Sequence, residues 1–125
     1  MQSTIGYGLR GLVVVALGMD ASLKLLQTQA AVEGSVPLGF AADSVLTIGL
    51  IEAACLLLFA IPRTAFIGAL LITAYCGGAV ATHLRLGNPL VTHVLSAVYV
   101  AVVMWLGLWL SEPRLRRLIV QGEAR

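Results

Sequence analysis

Charged side chains are scarce in this sequence. Of its 125 residues, eight are Lys or Arg and six are Asp or Glu, which makes 11% charged. An ordinary soluble domain has about 25%. The chain is also 59% hydrophobic, with a mean hydropathy of +0.96. So few polar groups cannot cover so much apolar surface in water. The composition therefore excludes an ordinary soluble enzyme, a disordered chain and a nucleic-acid-binding protein, and it indicates a chain surrounded by the lipid bilayer.

Cysteines and cofactor motifs are also nearly absent. Cys55 and Cys76 both lie in apolar runs, where a single thiol behaves as a small apolar side chain. These cysteines, together with His83 and His93, do not have the spacing of a zinc site. A haem group would need an axial ligand, which either histidine could supply, but no other feature of the sequence supports haem binding. We therefore predict no metal site, and the sequence leaves the cofactor open.

Four apolar stretches predict one transmembrane domain with four spans. They cover approximately residues 5–26, 44–61, 65–83 and 93–110. A spanning helix needs about 17–25 residues, so each stretch is long enough. Pro62 ends the second stretch because proline cannot continue a helix ladder. The sequence thus predicts an all-α fold, a four-transmembrane-helix bundle.

The positions of the basic residues predict the orientation of this bundle. Lys24 and Arg85 lie at one end, and six arginines lie at the end that holds both termini. Cytoplasmic loops carry the excess of Lys and Arg, so both termini are expected in the cytoplasm. The six are Arg10, Arg63, Arg114, Arg116, Arg117 and Arg125.

Two further segments leave alternatives open. The third span carries a small residue at every fourth position, which suits close helix packing. Packing inside the bundle is favoured over a homo-oligomer formed through this face. The small residues of the third span are Ala65, Ala69, Thr73, Gly77 and Ala81.

The 27–43 loop between the first two spans is partly apolar. It therefore lies on the membrane surface or folds over the bundle, either as a functional segment or as an ordered connection.

Polar residues at membrane depth form the main candidate site. In the predicted topology they gather in the outer half of the bundle, and Glu52 lies about 12 Å below the start of its span. Such groups usually face a bundle interior or a cavity. We expect Glu52, His83 and Asp20 to be candidate acid–base residues in an outward or lateral cavity. The candidate binding residues are Lys24, Tyr75, Thr82 and Arg85.

Each of these residues also has a structural interpretation. Asp20 and Lys24 are four residues apart and can pair on one helix face. Arg85 can anchor to lipid headgroups, and His83 can hydrogen-bond between helices. Glu52 is the hardest to explain without a function, because a carboxylate in the membrane must be protonated, paired or hydrated. Pairing with Lys24 or Arg85 would give it a purely structural role.

The sequence also resembles the DoxX-like family of small bacterial membrane proteins. The glycine-rich run that leads to Thr82-His83-Leu84-Arg85 is the most specific part of this resemblance. It implies four transmembrane helices in a bacterial inner membrane. The similar stretches are Gly18 with Lys24–Leu26, Gly49–Glu52, Ile61–Thr64, Gly68–Ala69, Tyr75–Pro89, Gly107–Leu110 and Glu112–Arg116.

Three functions remain open at this point. The family is named after a subunit linked to thiosulfate oxidation and quinone reduction. The resemblance therefore implies an accessory or quinone-interacting subunit of a membrane oxidoreductase, with quinone as a candidate cofactor and an oxidoreductase as a candidate partner. The polar residues support a small intramembrane isomerase or hydratase that acts on a lipophilic substrate by carboxylate–histidine chemistry. An oligomeric transporter subunit is the third hypothesis.

Overall fold

The computed structural model describes residues 1–122, so Arg125 lies outside the described residues. These residues form helices and connecting turns, which confirms the predicted all-α class. A 3-10 turn over Val36–Leu38 follows α2, and a π-helical turn over Leu90–Val94 leads into α5. The helices are α1 Gln2–Leu25, α2 Gln29–Ser35, α3 Ser44–Ala60, α4 Ala65–Arg85, α5 Ser96–Ser111 and α6 Pro113–Gly122.

The four long helices contact one another in a closed ring, in the order α1, α3, α4, α5 and back to α1. Each predicted apolar stretch falls on one of them, with the fourth divided between the π-helical turn and α5. The helices do not end where the apolar residues end. For example, α4 continues through His83 to Arg85, because polar and basic residues are compatible with a helical backbone. Gly87, at a φ of +69°, then turns the chain away.

Two helices are long and apolar enough to cross a membrane, as judged within residues 1–122. They are Ala65–Arg85 and Leu90–Ser111. The 17-residue α3 is apolar but shorter, and α1 carries Arg10, Asp20 and Lys24. Length and hydropathy alone therefore support two spans, and the assignment of α1 and α3 depends on how their side chains are oriented.

Two glycines allow helices to approach very closely. A Cβ added to Gly6 of α1 would lie 2.5 Å from the Ser111 backbone nitrogen and 2.8 Å from the Gly107 carbonyl oxygen of α5. A Cβ on Gly68 of α4 would lie 2.2 Å from the Phe59 backbone nitrogen of α3. Both glycines therefore act through backbone contact, as small residues do between membrane helices.

The small-residue face of α4 is divided between two environments. Ala65 and Ala69 are buried inside the ring of helices. Farther along, Thr73, Gly77 and Ala81 are exposed, and Trp105 of α5 donates a hydrogen bond of 2.8 Å to the Thr73 hydroxyl. The first half of this face thus packs within the chain, and association of two copies through the second half stays a prediction.

A buried arginine joins three helices at the end of the ring near both termini. The Arg10 guanidinium, 7% exposed as a residue, donates 3.1 Å to the Ser111 hydroxyl and 3.3 Å to Glu112 Oε1. It also donates 3.5 Å to the Phe59 carbonyl oxygen. We call Arg10, Ser111 and Glu112 the arginine cluster. The sequence placed Arg10 among the basic residues at the membrane rim, but the close approach of α1 and α5 at Gly6 encloses its side chain.

Candidate functional site

Four polar side chains from three helices meet near the other end of the ring. Lys24 Nζ donates hydrogen bonds to the carboxylate of Asp20, to Glu52 Oε2 at 2.8 Å and to the Tyr75 hydroxyl at 2.9 Å. The Tyr75 hydroxyl in turn donates to Glu52 Oε2 at 3.0 Å. We call Asp20, Lys24, Glu52 and Tyr75 the carboxylate cluster. It ties α1, α3 and α4 together through charge-assisted hydrogen bonds.

Local sequence explains how these side chains reach one another. Asp20 and Lys24 are four residues apart, so they lie on the same face of α1 and pair there. Gly49 lies one helical turn before Glu52 on α3. A Cβ at Gly49 would approach Lys24 Cβ to 2.8 Å, so the glycine allows α3 to lie against α1 at this point. The close approach brings Glu52 within reach of the lysine.

Among residues 1–122, one buried oxygen of the cluster has no hydrogen-bond partner. Glu52 is 2% exposed, and among residues 1–122 nothing donates to its Oε1. Lys24 already donates to three acceptors, which is the full capacity of an ammonium group. The only proton of the Tyr75 hydroxyl goes to Oε2. A buried polar atom without a partner is costly, so Oε1 favours an additional group that can hydrogen-bond to it.

The carboxylate cluster lies in the wall of a cavity of about 760 Å³. That volume is in the range of small-molecule sites, which are typically apolar with a few convergent polar groups. The arginine cluster contributes none of its side chains to this wall. The apolar part of the wall includes Leu17, Ile48, Ile51, Ala74, Ala79, Ala97 and Val100.

The 27–43 loop closes part of this cavity. Thr28 caps α2 by accepting a hydrogen bond of 3.3 Å from the Ala31 backbone nitrogen. Beyond α2, Leu38 and Phe40 contribute to the cavity wall. Arg85 holds the segment in place, since its Nη2 donates 3.0 Å to the Leu38 carbonyl oxygen. Of the two predicted placements for this loop, the structure shows the segment folded over the helices.

The model of the DoxX-like family matches residues 8–107, which include every residue of the carboxylate cluster. This chain belongs to the DoxX-like family. Among curated proteins and among solved structures, none matches the chain significantly. The match thus covers the cavity, all of α3 and α4 and most of α1 and α5, and it does not extend over α6.

Two histidines lie close together near the cavity of this DoxX-like chain. His83 is part of the cavity wall, and its ring centroid lies 5.7 Å from that of His93 in the π-helical turn. Asn88 Nδ2 lies 2.8 Å from His83 Nδ1. With the amide as donor, Nδ1 accepts and Nε2 carries the ring proton. His83 then supplies a hydrogen-bond donor, whereas Glu52 supplies a free acceptor.

The remaining predicted site residues have more local roles. Thr82 lies in the cavity wall, and its hydroxyl donates 2.8 Å to the Gly78 carbonyl oxygen of its own helix. Arg85 lies outside the wall and contacts the loop instead. The cavity therefore brings together six of the seven candidate residues of the DoxX-like chain: Asp20, Lys24, Glu52, Tyr75, Thr82 and His83.

Several residues of the cavity wall are not among the candidates predicted from the sequence. Ser35, Leu38 and Phe40 come from the loop, and Ser96 comes from the start of α5. The partly apolar composition of the loop was the only signal for Leu38 and Phe40, and nothing in the sequence pointed to Ser35. A segment that is apolar but too short to span a membrane must cover another surface, and here it covers the cavity.

The two cysteines of the DoxX-like chain are free and buried. Cys76 lies in the cavity wall, while Cys55 lies in the core beside Leu56 and Phe59. Within residues 1–122, no group of three or more His, Cys, Asp and Glu residues has the arrangement of a metal site. The carboxylate cluster and His83 themselves can take part in hydrogen bonding and proton transfer.

Proposed function

We propose that this DoxX-like chain is a four-span membrane protein whose cavity binds a lipophilic quinol-type ligand, as an accessory or quinone-interacting subunit of a membrane oxidoreductase. The unpartnered Oε1 of Glu52, a residue that lines the cavity, supports this proposal best. An ionised carboxylate oxygen requires a donor, and a quinol hydroxyl supplies one. The second oxygen of such a ring can accept from His83, and the apolar wall suits its hydrocarbon tail.

The side-chain orientation of α1 supports its role as a spanning helix. Two of its three charged residues, Arg10 and Lys24, turn toward the other helices and form hydrogen bonds there, while Asp20 pairs with Lys24. Its outward face is apolar, with Leu12, Val15 and Met19 all more than half exposed. Ionisable groups directed inward and apolar groups directed outward are typical of a helix surrounded by lipid.

Accessibility measurements test the four-span topology with both termini in the cytoplasm. In a Cys55→Ala/Cys76→Ala background, single cysteines are introduced at Gln2, Arg63 and Asn88. A membrane-impermeant maleimide applied to spheroplasts should label only the cysteine at position 88. Permeabilisation should expose the other two, and labelling at position 2 or 63 before permeabilisation would contradict the proposed topology.

Binding of a matched ligand pair tests the role of Glu52. The purified chain in nanodiscs is titrated with a short-tailed hydroquinone and with its dimethyl ether, which has no hydroxyl proton. The hydroquinone should bind about tenfold more tightly, as expected for a hydrogen bond to a charged group. Glu52→Leu should remove this discrimination, while Glu33→Leu, which changes an exposed carboxylate on α2, should retain it.

Equal affinity for the two compounds in the natural chain would contradict the proposed quinol site. Discrimination that survives Glu52→Leu would show that another group accepts the hydroxyl proton. The oxidoreductase role needs a separate test by co-purification from native membranes. A chain that is always isolated alone and without quinone would count against a role as a subunit.

The shared cavity also favours a second function, that of a small intramembrane enzyme. Glu52 and His83 lie in one wall, where a carboxylate and an imidazole can act as an acid–base pair on a lipophilic substrate. Deuterium transfer from heavy water into a lipophilic β,γ-unsaturated ketone measures such an isomerase. Glu52→Gln and His83→Ala should each abolish it, and full activity in both variants would exclude this chemistry.

A further inference from the structure

A groove with both polar and apolar walls lies at the opposite end of the helix ring from the carboxylate cluster. It has a volume of about 210 Å³ and is formed where the turn between α3 and α4 meets α6. Arg63 and Arg114 contribute its cationic groups, and Phe66, Leu115 and Leu118 contribute to its apolar wall. The groove thus combines two guanidinium groups with a hydrocarbon-like surface.

The charges in this groove are unbalanced. Within residues 1–122, neither Arg63 nor Arg114 has an ion pair or a side-chain hydrogen bond. Glu112 also lies in the groove wall, but its Oε1 accepts from Arg10 at 3.3 Å. The carboxylate is therefore engaged by the arginine cluster, and the two groove arginines leave a local excess of positive charge.

The amphipathic helix α6 is suited to a position at a membrane surface. At helical spacing, Leu115 and Leu118 share one face of α6, Arg114 lies at the edge of that face within the groove wall, and Arg117 points away from it. Leu115 is buried against the protein, whereas Leu118 is 73% exposed. A basic helix with an exposed apolar face is typical of a segment lying in the interface between lipid headgroups and acyl chains.

We propose that this groove binds an anionic phospholipid, with its phosphate between Arg63 and Arg114 and an acyl chain along Phe66 and Leu118. Guanidinium groups recognise phosphate oxygens by paired hydrogen bonds, which suits two arginines that have no other acceptor. The continuous apolar wall beside them favours a phosphate that carries a hydrocarbon chain. The site therefore differs in position and in chemistry from the proposed quinol cavity.

Native mass spectrometry of the full chain tests this site. Protein released from phosphatidylcholine nanodiscs is titrated with phosphatidylglycerol, and the apparent dissociation constant is measured for the first bound anionic lipid. Arg63→Gln and Arg114→Gln should each raise it about tenfold, the effect expected when a hydrogen bond to a charged group is lost. Arg117→Gln is the matched control, because it removes the same charge from α6 outside the groove.

The control separates a bound lipid from general attraction to an anionic surface. An equal loss in all three variants, or no loss in Arg63→Gln and Arg114→Gln, would overturn the proposal. A titration with inorganic phosphate distinguishes the source of the anion. Phosphate should leave phosphatidylglycerol bound, and displacement of the lipid would assign the groove to a free anion instead. Thermal unfolding in phosphatidylcholine should be the same for every variant, since all three arginines are exposed.

Discussion

The arginine cluster and the carboxylate cluster both place charge between helices, but they use it differently. Arg10 shares its hydrogen bonds among a hydroxyl, a carboxylate and a backbone carbonyl, and its partner Glu112 remains 28% exposed in its side chain. Glu52 is almost completely buried, yet its Oε1 has no partner among residues 1–122. The first arrangement joins the ends of helices, whereas the second leaves a buried acceptor without a partner on a residue that lines a cavity.

This difference teaches that burial of charge alone does not identify a functional site. Breaking a buried ion pair is strongly destabilising whether or not a ligand is involved. What distinguishes the carboxylate cluster is an unused hydrogen-bonding atom next to 760 Å³ of largely apolar space. Changes to either cluster should therefore affect folding, and changes to Glu52 should in addition affect ligand discrimination.

Replacing the buried arginine should have the largest effect. Arg10→Met keeps an extended side chain but removes all donors to Ser111, Glu112 and Phe59, so we expect a loss of about 3 kcal/mol in the free energy of unfolding. Reversible unfolding in mixed micelles measures it. The hydroquinone-to-ether affinity ratio should stay unchanged. Arg117→Met, at an exposed position, should cost less than about 0.5 kcal/mol.

Filling the close helix contact at Gly6 should have the next largest effect. Gly6→Ala places a methyl group against the α5 backbone, which cannot yield as a side chain could, so we expect destabilisation of about 2 kcal/mol. The same unfolding assay measures it. Gly8→Ala on the same helix meets no atom within 4 Å and serves as the control. Equal stability of the two variants would contradict the backbone contact between α1 and α5.

Removing the tyrosine hydroxyl should distinguish the roles of the two carboxylate oxygens of Glu52. Tyr75→Phe deletes the donor to Oε2 and one acceptor of Lys24, so we expect a loss of about 1 kcal/mol in stability. Oε1 is not involved, and the preference for hydroquinone over its ether should remain. If the preference disappears while the fold is retained, the ligand depends on Oε2 or on the tyrosine, and the proposed role of Oε1 is wrong.

Releasing the loop should have the smallest effect. Arg85→Gln weakens the contact with the Leu38 carbonyl oxygen, and this contact is exposed, so stability should change by less than about 0.5 kcal/mol. The hydroquinone should dissociate about threefold faster, as expected for partial loss of one hydrogen bond. Stopped-flow exchange measures this rate. Arg63→Gln, at the other end of the chain, should leave the rate unchanged, and an equal increase would exclude a role for the loop.

Much of the candidate site could be predicted because few ionisable side chains lie within the apolar stretches of the sequence. In an apolar sequence every ionisable side chain within a helix needs a partner, so Asp20, Lys24 and Glu52 were conspicuous. Helical spacing also placed Asp20 beside Lys24. The role of Arg85 could not be predicted, because a cation at a helix end can contact lipid, ligand or backbone. Its acceptor, the Leu38 carbonyl oxygen, carries no sequence signal.

The sequence by itself determined that this chain is apolar, all-helical and DoxX-like, because composition, helix-breaking residues and family motifs are local properties. Only the tertiary structure decided which charges are satisfied. Gly6 allows α1 to approach α5 closely, which buries Arg10 between the helices. Gly49 allows α3 to approach α1, which brings Glu52 within hydrogen-bonding distance of Lys24. These approaches join residues that are distant in sequence, so their hydrogen bonds, and the one that Glu52 Oε1 lacks, depend on how the helices pack.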